Sequence, residues 1–404
     1  MGPLAGFKVI EFAHIMAGPV CGLMLADMGA DVIKVEKVPG GDDTRRTLPP
    51  DIDGESAAFL MMNRNKRGIA LDLKTEGGRD VARRLLADAD AAIENYRRGT
   101  MERLGLGYEA IKAFNPGIIY AELSGFGRTG PYADRAGFDL IAQGMSGIMS
   151  ITGEGDGGPP TKCGAPLSDI TAGILAAMGV LAACIHRNQT GEGQRVDTSL
   201  FEAAITHTYW QSAMAFATGV SPGALGSAHP LNAPYQAFET ADGWITVGAA
   251  NQTNWLRMLD ALERADLQAD ARFAEPAARM ANLEALVAVL SEIFRQRPAA
   301  EWLDRLEHAG VPAGPVLDIA GMQADPQAIA RGMITETRHT RLGAVKTLGH
   351  PVHYSSTPAE ITRGAPLLGE HTLQVLGEHG YDEAEIERLI AEGCVVAAQT
   401  KTSA

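Results

Sequence analysis

Short β-rich runs alternate with helical patterns along the first two hundred residues. KVIEF at Lys8–Phe12 predicts a strand, the small-residue run Gly18–Met28 a helix, and DVIKVE at Asp31–Glu36 a second strand. An amphipathic helix follows over about Thr75–Asp88, with Val81, Leu85 and Leu86 on one side. AAIE at Ala91–Glu94 reads as a strand, Met101–Phe114 as a helix and GIIYAELS at Gly117–Ser124 as a strand. Strands that alternate with helices imply a parallel, doubly wound α/β sheet, because parallel neighbours need a crossover of helix length. Ser168–Arg187 is apolar on nearly every side and is expected to be buried, with a strand at Gln194–Ser199 and a helix over Leu200–Ala217 after it.

The texture changes near Thr218, where TGVSPGALGSAHPLNAP has the Gly, Pro and Ser density of a connecting loop. YQAFETADGWITVG then reads as a hairpin turning at Ala241-Asp242-Gly243. Helical patterns follow at Thr253–Glu263, Leu283–Arg295 and Ala299–Ala309, and VPAGPVLDI returns to an extended form. The expected organisation is a large Rossmann-like domain over 1–200, a linker helix and loop over 201–228, and a small α+β domain over 229–325. A C-terminal segment over 326–404 carries helical patterns near 370–378 and 382–391.

The chain has 404 residues and is 46% apolar, enough to bury a full core in a two-domain protein. Its net charge of -14 argues against a nucleic-acid partner, whose phosphates need a basic face. No uninterrupted apolar run approaches the roughly 20 residues of a membrane span. The opening MGPLAGFKVIEF lacks the layout of a secretory signal, so a cytoplasmic location is expected. Cys21, Cys163, Cys184 and Cys394 lie far apart with no CxxC pair, and read as reduced, packed thiols rather than as a metal site.

Candidate chemistry begins at the first βα turn, Ala13-His14-Ile15-Met16-Ala17-Gly18-Pro19. A dinucleotide site would need Gly-x-Gly-x-x-Gly there. One glycine followed by a proline that lacks an N–H weakens that reading, although an NAD-dependent dehydrogenase stays an alternative at this point. Positive charge gathers in residues 34–103, with 14 Lys and Arg against 13 Asp and Glu. The dense run Asn63-Arg64-Asn65-Lys66-Arg67 reads either as a solvated loop or as a phosphate-binding rim.

PLAGFKVIEFAHIMAGPVCGLMLADMGADVIKVEK, NRNKRGIALDLK, ENYRRGTMERLGLGYE and SGFGRTGPYADRAGFD occur in order, followed by GAPLSDITAGILAAMGVLAA, TGEGQRVDTSL and APLLGEHT. Together these segments resemble the class III CoA-transferase family from residue 3 to residue 372. The resemblance implies transfer of coenzyme A from an acyl-CoA to a free carboxylic acid, with no permanently bound cofactor and no metal. It implies that Asp169, in Ser168-Asp169-Ile170-Thr171-Ala172-Gly173, is the nucleophile that becomes an aspartyl-CoA thioester. Without the resemblance Asp169 reads as a helix N-cap, a place where the helix end favours the ionised carboxylate.

CoA-contacting roles are implied for His14 and Ala17 at the first turn, for Lys37 near the adenosine phosphates, and for Lys74 at the end of an IALDLK strand on the adenine side. They are also implied for Asn95 and Arg103 of the ENY…R element. The related α-methylacyl-CoA racemases and epimerases carry a proton-transferring His where this chain has Phe138, which counts against that alternative. Formyl-CoA:oxalate transfer is a further alternative, weakened because Met16 stands where those enzymes carry Gln and the shorter Gly226-Ser227-Ala228-His229-Pro230 stands where they carry a tetraglycine loop. GSAHPLNAPYQAF and DGWITVGAANQ look most like the branch that uses succinyl-CoA with dicarboxylates such as glutarate or hydroxymethylglutarate. Arg45, Arg46 or His229 are candidates for the distal carboxylate. The resemblance also implies an interlocked homodimer in which residues 326–404 return to the large domain.

Overall fold

The computed structural model describes residues 1–155 and 157–398, so the last residues of the C-terminal segment lie outside the described residues. The chain folds as two compact units, one of residues 1–148, 162–217 and 326–404, the other of residues 149–161 and 218–325.

The first unit is built on β1 (Lys8–Glu11), β2 (Asp31–Lys37), β3 (Arg67–Leu71), β4 (Ala91–Glu94), β5 (Ile119–Ser124) and β6 (Arg195–Ser199). These run in the order β3-β2-β1-β4-β5-β6, all parallel, which is the doubly wound order with its switch point between β1 and β4. Val395–Val396 adds a seventh strand, antiparallel on the outer edge of β3. Alternate residues feed two cores. Val9, Val32, Ala91 and Ile119 face α1 (Ala17–Asp27). Ile10, Ile33, Ala92 and Tyr120 face α2 (Glu76–Ala87). Burial extends to both faces of these strands, and the charged residues among them, Glu11, Lys34, Glu36, Glu94 and Glu122, are buried as well.

Most elements lie where the periodicity predicts them, and the differences have local causes. The helix expected at Met101–Phe114 is two short helices, Thr100–Arg103 and Tyr108–Lys112, parted at Gly105, whose φ of +71° no helix can carry. The stretch expected as one helix over Leu200–Ala217 breaks into Leu200–Thr206 and Tyr209–Thr218. A hairpin of Ile334–His339 with Gly343–Leu348 was not anticipated.

The helix of Leu167–Thr190, numbered α4 below after the short α3 (Asp139–Met145), is also not buried all round. Ala172, Gly173, Ala176, Ala177, Val180 and Ala183 form a small-residue face turned into the core, whereas Ile174, Met178 and Ile185 are exposed. By length and composition it could cross a membrane, and its packing against α1 and the sheet gives its apolar inner face another explanation. Small residues permit close approach: a Cβ on Gly173 would stand 2.6 Å from the carbonyl oxygen of Ala17. The first turn of α1 and the first turns of α4 are thereby fixed against each other.

The second unit holds a three-stranded antiparallel sheet. Tyr235–Glu239 and Trp244–Gly248 pair as the expected hairpin, with Ala313–Pro315 on the outer side of the latter. Trp255, Phe273, Phe294 and Trp302 are buried in its core, and the Trp302 indole donates to the Phe294 carbonyl at 2.8 Å.

Candidate active site

The carboxyl ends of parallel strands are where a doubly wound sheet leaves a crevice. Here the crevice is a cleft of about 460 Å³ in the first unit. Its walls are the turn from β1 to α1 (His14–Ala17), the segment Asn95–Arg98 after β4, residues 123–125 at the end of β5, and the loop Ala133–Phe138. Asp169 also lines it.

Asp169 is the third residue of α4, not its N-cap; Pro166 holds that position, and its ring has no acceptor to cap the helix. The capping function passes to another element. Asp139, the first residue of α3, accepts the Ser168 N–H at 2.9 Å and the Gln143 amide at 2.7 Å. Asp139 therefore satisfies an orphan donor at the start of α4 and brings a second carboxylate beside Asp169. Burial, and then the Asp139 charge, push the Asp169 carboxyl up to about 6. The helix end acts in the opposite sense but is worth only about 0.3–1 kcal/mol, so burial and the like charge win. Asp169 makes no ion pair among the described residues, which leaves a half-buried, basic carboxylate facing the cleft.

His14, Ala17 and Asn95 line the same cleft as Asp169. Asn95 spends its amide on the protein, accepting the His14 N–H at 2.9 Å and donating to the His14 carbonyl at 2.7 Å. The His14 ring lies 5.3 Å from the Tyr96 ring, and burial lowers its pKa, so the neutral imidazole is favoured. The three expected cations stand apart from the lining. Lys37 is exposed and pairs with Asp43, a cleft residue, at 2.6 Å. Arg103 is exposed and donates to the Thr100 hydroxyl at 3.1 Å, again one residue removed from the cleft. Lys74 is exposed in the loop beyond β3, which ends at Leu71 rather than running through IALDLK.

The run Asn63–Arg67 is neither a solvated loop nor a phosphate rim. Arg64 is buried against Asp27, Lys66 against Glu11 at 2.8 Å, and Arg67 between Asp31 and Glu378. Of the candidates for a distal carboxylate, Arg45 is committed to Glu36 through two 2.7 Å bonds and lies 3.6 Å over the Phe59 ring. Arg46 pairs with Asp43, and the His229 ring meets the Leu231 N–H at 3.1 Å in the second unit.

The cleft's guanidinium groups come instead from Arg97, Arg98, Arg128 and Arg135. Arg128 is held by Glu94, Glu122 and the Tyr96 carbonyl, Arg98 faces Asp134 at 3.5 Å, and Arg135 lies 3.9 Å from the Tyr132 ring centre. Arg97 makes no ion pair among the described residues. Asp139, Arg128 and Arg97 sit inside the quoted motifs, but spacing alone carried no signal for them. Apolar Ile15, Met16, Leu123, Phe138 and Leu200 complete the walls. Among the described residues no group of three or more His, Cys, Asp or Glu is placed to hold a metal ion.

The model for CoA-transferase family III matches residues 4–372. A succinate–glutarate CoA-transferase of Agrobacterium fabrum is 42% identical, covering 93% of this chain and 95% of that protein. An acetyl-CoA:oxalate CoA-transferase of Acetobacter aceti is 38% identical over 95% of this chain and 97% of its own length. Among solved structures, a CaiB/BaiF family protein from Brucella suis superposes with a TM-score of 0.85 at 42% identity, over 94% of this chain and 99% of that one.

Proposed function

The chain belongs to CoA-transferase family III and is a CoA-transferase, and we propose that it moves coenzyme A from succinyl-CoA to a dicarboxylate of the glutarate class, with Asp169 as the nucleophile. The observation that carries the reading is the half-buried carboxylate of Asp169, kept basic and without an ion pair among the described residues, in the cleft that His14, Ala17 and Asn95 also line.

Asp169 attacks the thioester carbonyl of the donor and expels CoA thiolate, leaving a mixed anhydride. The thiolate attacks the aspartyl carbonyl, which releases the donor acid and forms a β-aspartyl-CoA thioester. The acceptor carboxylate attacks that thioester, and the thiolate returned to the new anhydride yields acceptor-CoA and free Asp169. Each step exchanges bonds of similar energy, so neither ATP nor a redox partner enters the balance. A carboxyl near 6 is ionised at neutral pH yet more nucleophilic than an ordinary aspartate. The apolar lining restrains water from the anhydride.

Relatives that act on succinate and glutarate, and one that acts on oxalate, support a small dicarboxylic acceptor. Arg97 and Arg135, which make no ion pair among the described residues, are guanidinium groups placed to meet an anionic group of either substrate. Phe138 at the cleft offers no proton carrier, which disfavours the racemase alternative. The reading includes a homodimer, supported by the exposed Ile174, Met178 and Ile185 of α4 and by Trp210 and Phe216 nearby in sequence. Sedimentation at equilibrium should return twice the chain mass.

The test is a matrix of acyl-CoA donors against free acids, read by mass spectrometry, with hydroxylamine added during turnover. Exchange between succinyl-CoA and glutarate with a hydroxamate at Asp169 is expected. Exchange without an adduct at Asp169 would remove the nucleophile assignment. Uptake of α-deuterium from deuterated water without exchange would give the racemase reading instead.

A further inference from the structure

We propose that Asp42 is a positioning residue for the transfer reaction: its carboxylate holds Ile15 in a left-handed backbone conformation and so sets the wall that His14–Ala17 present beside Asp169. The proposal rests on the transferase reading of the cleft.

Ile15 has a φ of +69°, a region that β-branched residues avoid and that glycine enters freely. Its side chain is 40% exposed, so packing of the side chain does not enforce the conformation. Hydrogen bonds to the backbone do. The Ile15 N–H donates to Asp42 Oδ1 at 3.0 Å. On one side Asn95 grips both backbone groups of His14, and Lys34 Nζ reaches the Ala13 carbonyl at 2.8 Å. On the other side the helix begins at Ala17. A strained backbone at the edge of a cleft persists only where its surroundings over-determine it.

Asp42 is itself fixed. Its Oδ1 also accepts the Thr44 N–H at 3.0 Å and the Thr44 hydroxyl at 2.8 Å, and its own N–H donates to Glu36 at 2.9 Å. Its other oxygen faces Lys34 Nζ at 2.9 Å. Lys34 in turn meets Glu11 at 2.9 Å, and Glu11 meets Lys66 at 2.8 Å, all with side chains shut off from solvent. Lys66 donates to the Pro19 carbonyl in the first turn of α1 at 2.8 Å. Two buried carboxylates and two buried ammonium groups thus grip the turn from Ala13 to Pro19 at three backbone atoms, and Asp42 is the member that touches the strained residue. Without it Ile15 would relax to negative φ, turning the backbone of the cleft wall away from its present path.

Four proteins separate positioning from support: wild type, Asp42→Ala, Ile15→Gly and the double variant. Wild-type exchange is measured first, because its absence would overturn the transferase reading and not this proposal. Asp42→Ala is expected to lose about tenfold or more in kcat/KM, since small misplacements cost that much, and to melt at lower temperature because Lys34 loses a buried partner. The double variant should match Ile15→Gly alone in kcat/KM while melting lower than it, because glycine adopts the left-handed turn without Asp42. A purely structural role would tie the two readouts together. If Asp42→Ala does not fold, Asp42→Asn, which keeps an oxygen acceptor for the Ile15 N–H, should retain kcat/KM within about threefold while melting lower. Full activity in Asp42→Ala, a double variant about tenfold or more below Ile15→Gly alone, or loss of activity in a folded Asp42→Asn would each overturn the proposal.

Discussion

Asp169 and Asp42 serve the same cleft, and their surroundings drive them in opposite directions. Both lose solvent, which by itself disfavours a carboxylate. Around Asp42 that penalty is outweighed by the Lys34 ammonium and by the N–H groups of Thr44 and Ile15, which hold its carboxyl well below the ordinary range. Around Asp169 the second influence is another carboxylate, Asp139, and no ion pair answers it among the described residues. The first arrangement makes a permanent anion that organises backbone. The second makes an anion the fold would prefer not to hold, which is the state from which attack on an electrophile relieves charge.

The contrast can be broken most severely at Asp169 itself. Asp169→Asn should lower exchange by at least about 10⁴-fold, the scale of losing a nucleophile. The folded protein should nevertheless be more stable, by about 1 kcal/mol at pH 8 once the shift is discounted for partial exposure. Because the folded pKa lies above the ordinary value, the cost of ionising Asp169 is present above about pH 6 and fades as pH falls. The gain in Asp169→Asn should therefore shrink toward pH 4, and a chemical-denaturation series across pH measures it. A loss of stability at pH 8 would mean that the charge is welcome after all.

The opposite pole is Lys34. Lys34→Ala leaves Glu11 and Asp42 facing one another across a dry interior, and should cost about 3–5 kcal/mol in the same denaturation assay. A cost below about 1 kcal/mol would mean that the buried quartet does not hold the turn.

The mildest test leaves the sequence intact. The wild-type rate should fall about tenfold per pH unit below about 6, as Asp169 takes up a proton. An acid limb centred near 4 would show that Asp139 and burial do not govern the nucleophile.

Much of this was open to reading from the chain. KVIEF, DVIKVE and AAIE fall within a residue of β1, β2 and β4, because their short β-branched and apolar runs are bounded by turn residues. Asp169 is a candidate only through the resemblance of its motif, since nothing in spacing alone distinguishes it, and the structure places it in the cleft. Its pairing with Asp139 was hidden, since a cap supplied from 29 residues away leaves no local signature. The basic run Asn63–Arg67 misled for a related reason. Its partners Asp27, Glu11 and Glu378 lie on other elements, and a charged string looks exposed until the fold shows what it faces. The apolar character of α4 was legible, but a sequence cannot say which of its faces the core takes.

The strand Val395–Val396 on the edge of β3 has a consequence for biosynthesis. Val395 aligns with Leu71, and the Asp72 N–H bonds the Cys394 carbonyl at 2.8 Å, so the central sheet is closed by residues made more than three hundred positions after the strand they cover. A nascent chain on the ribosome therefore carries β3 with one row of backbone groups unsealed until more than three hundred further residues have been made. Until Val395–Val396 is made, that edge is a template for unwanted strand pairing.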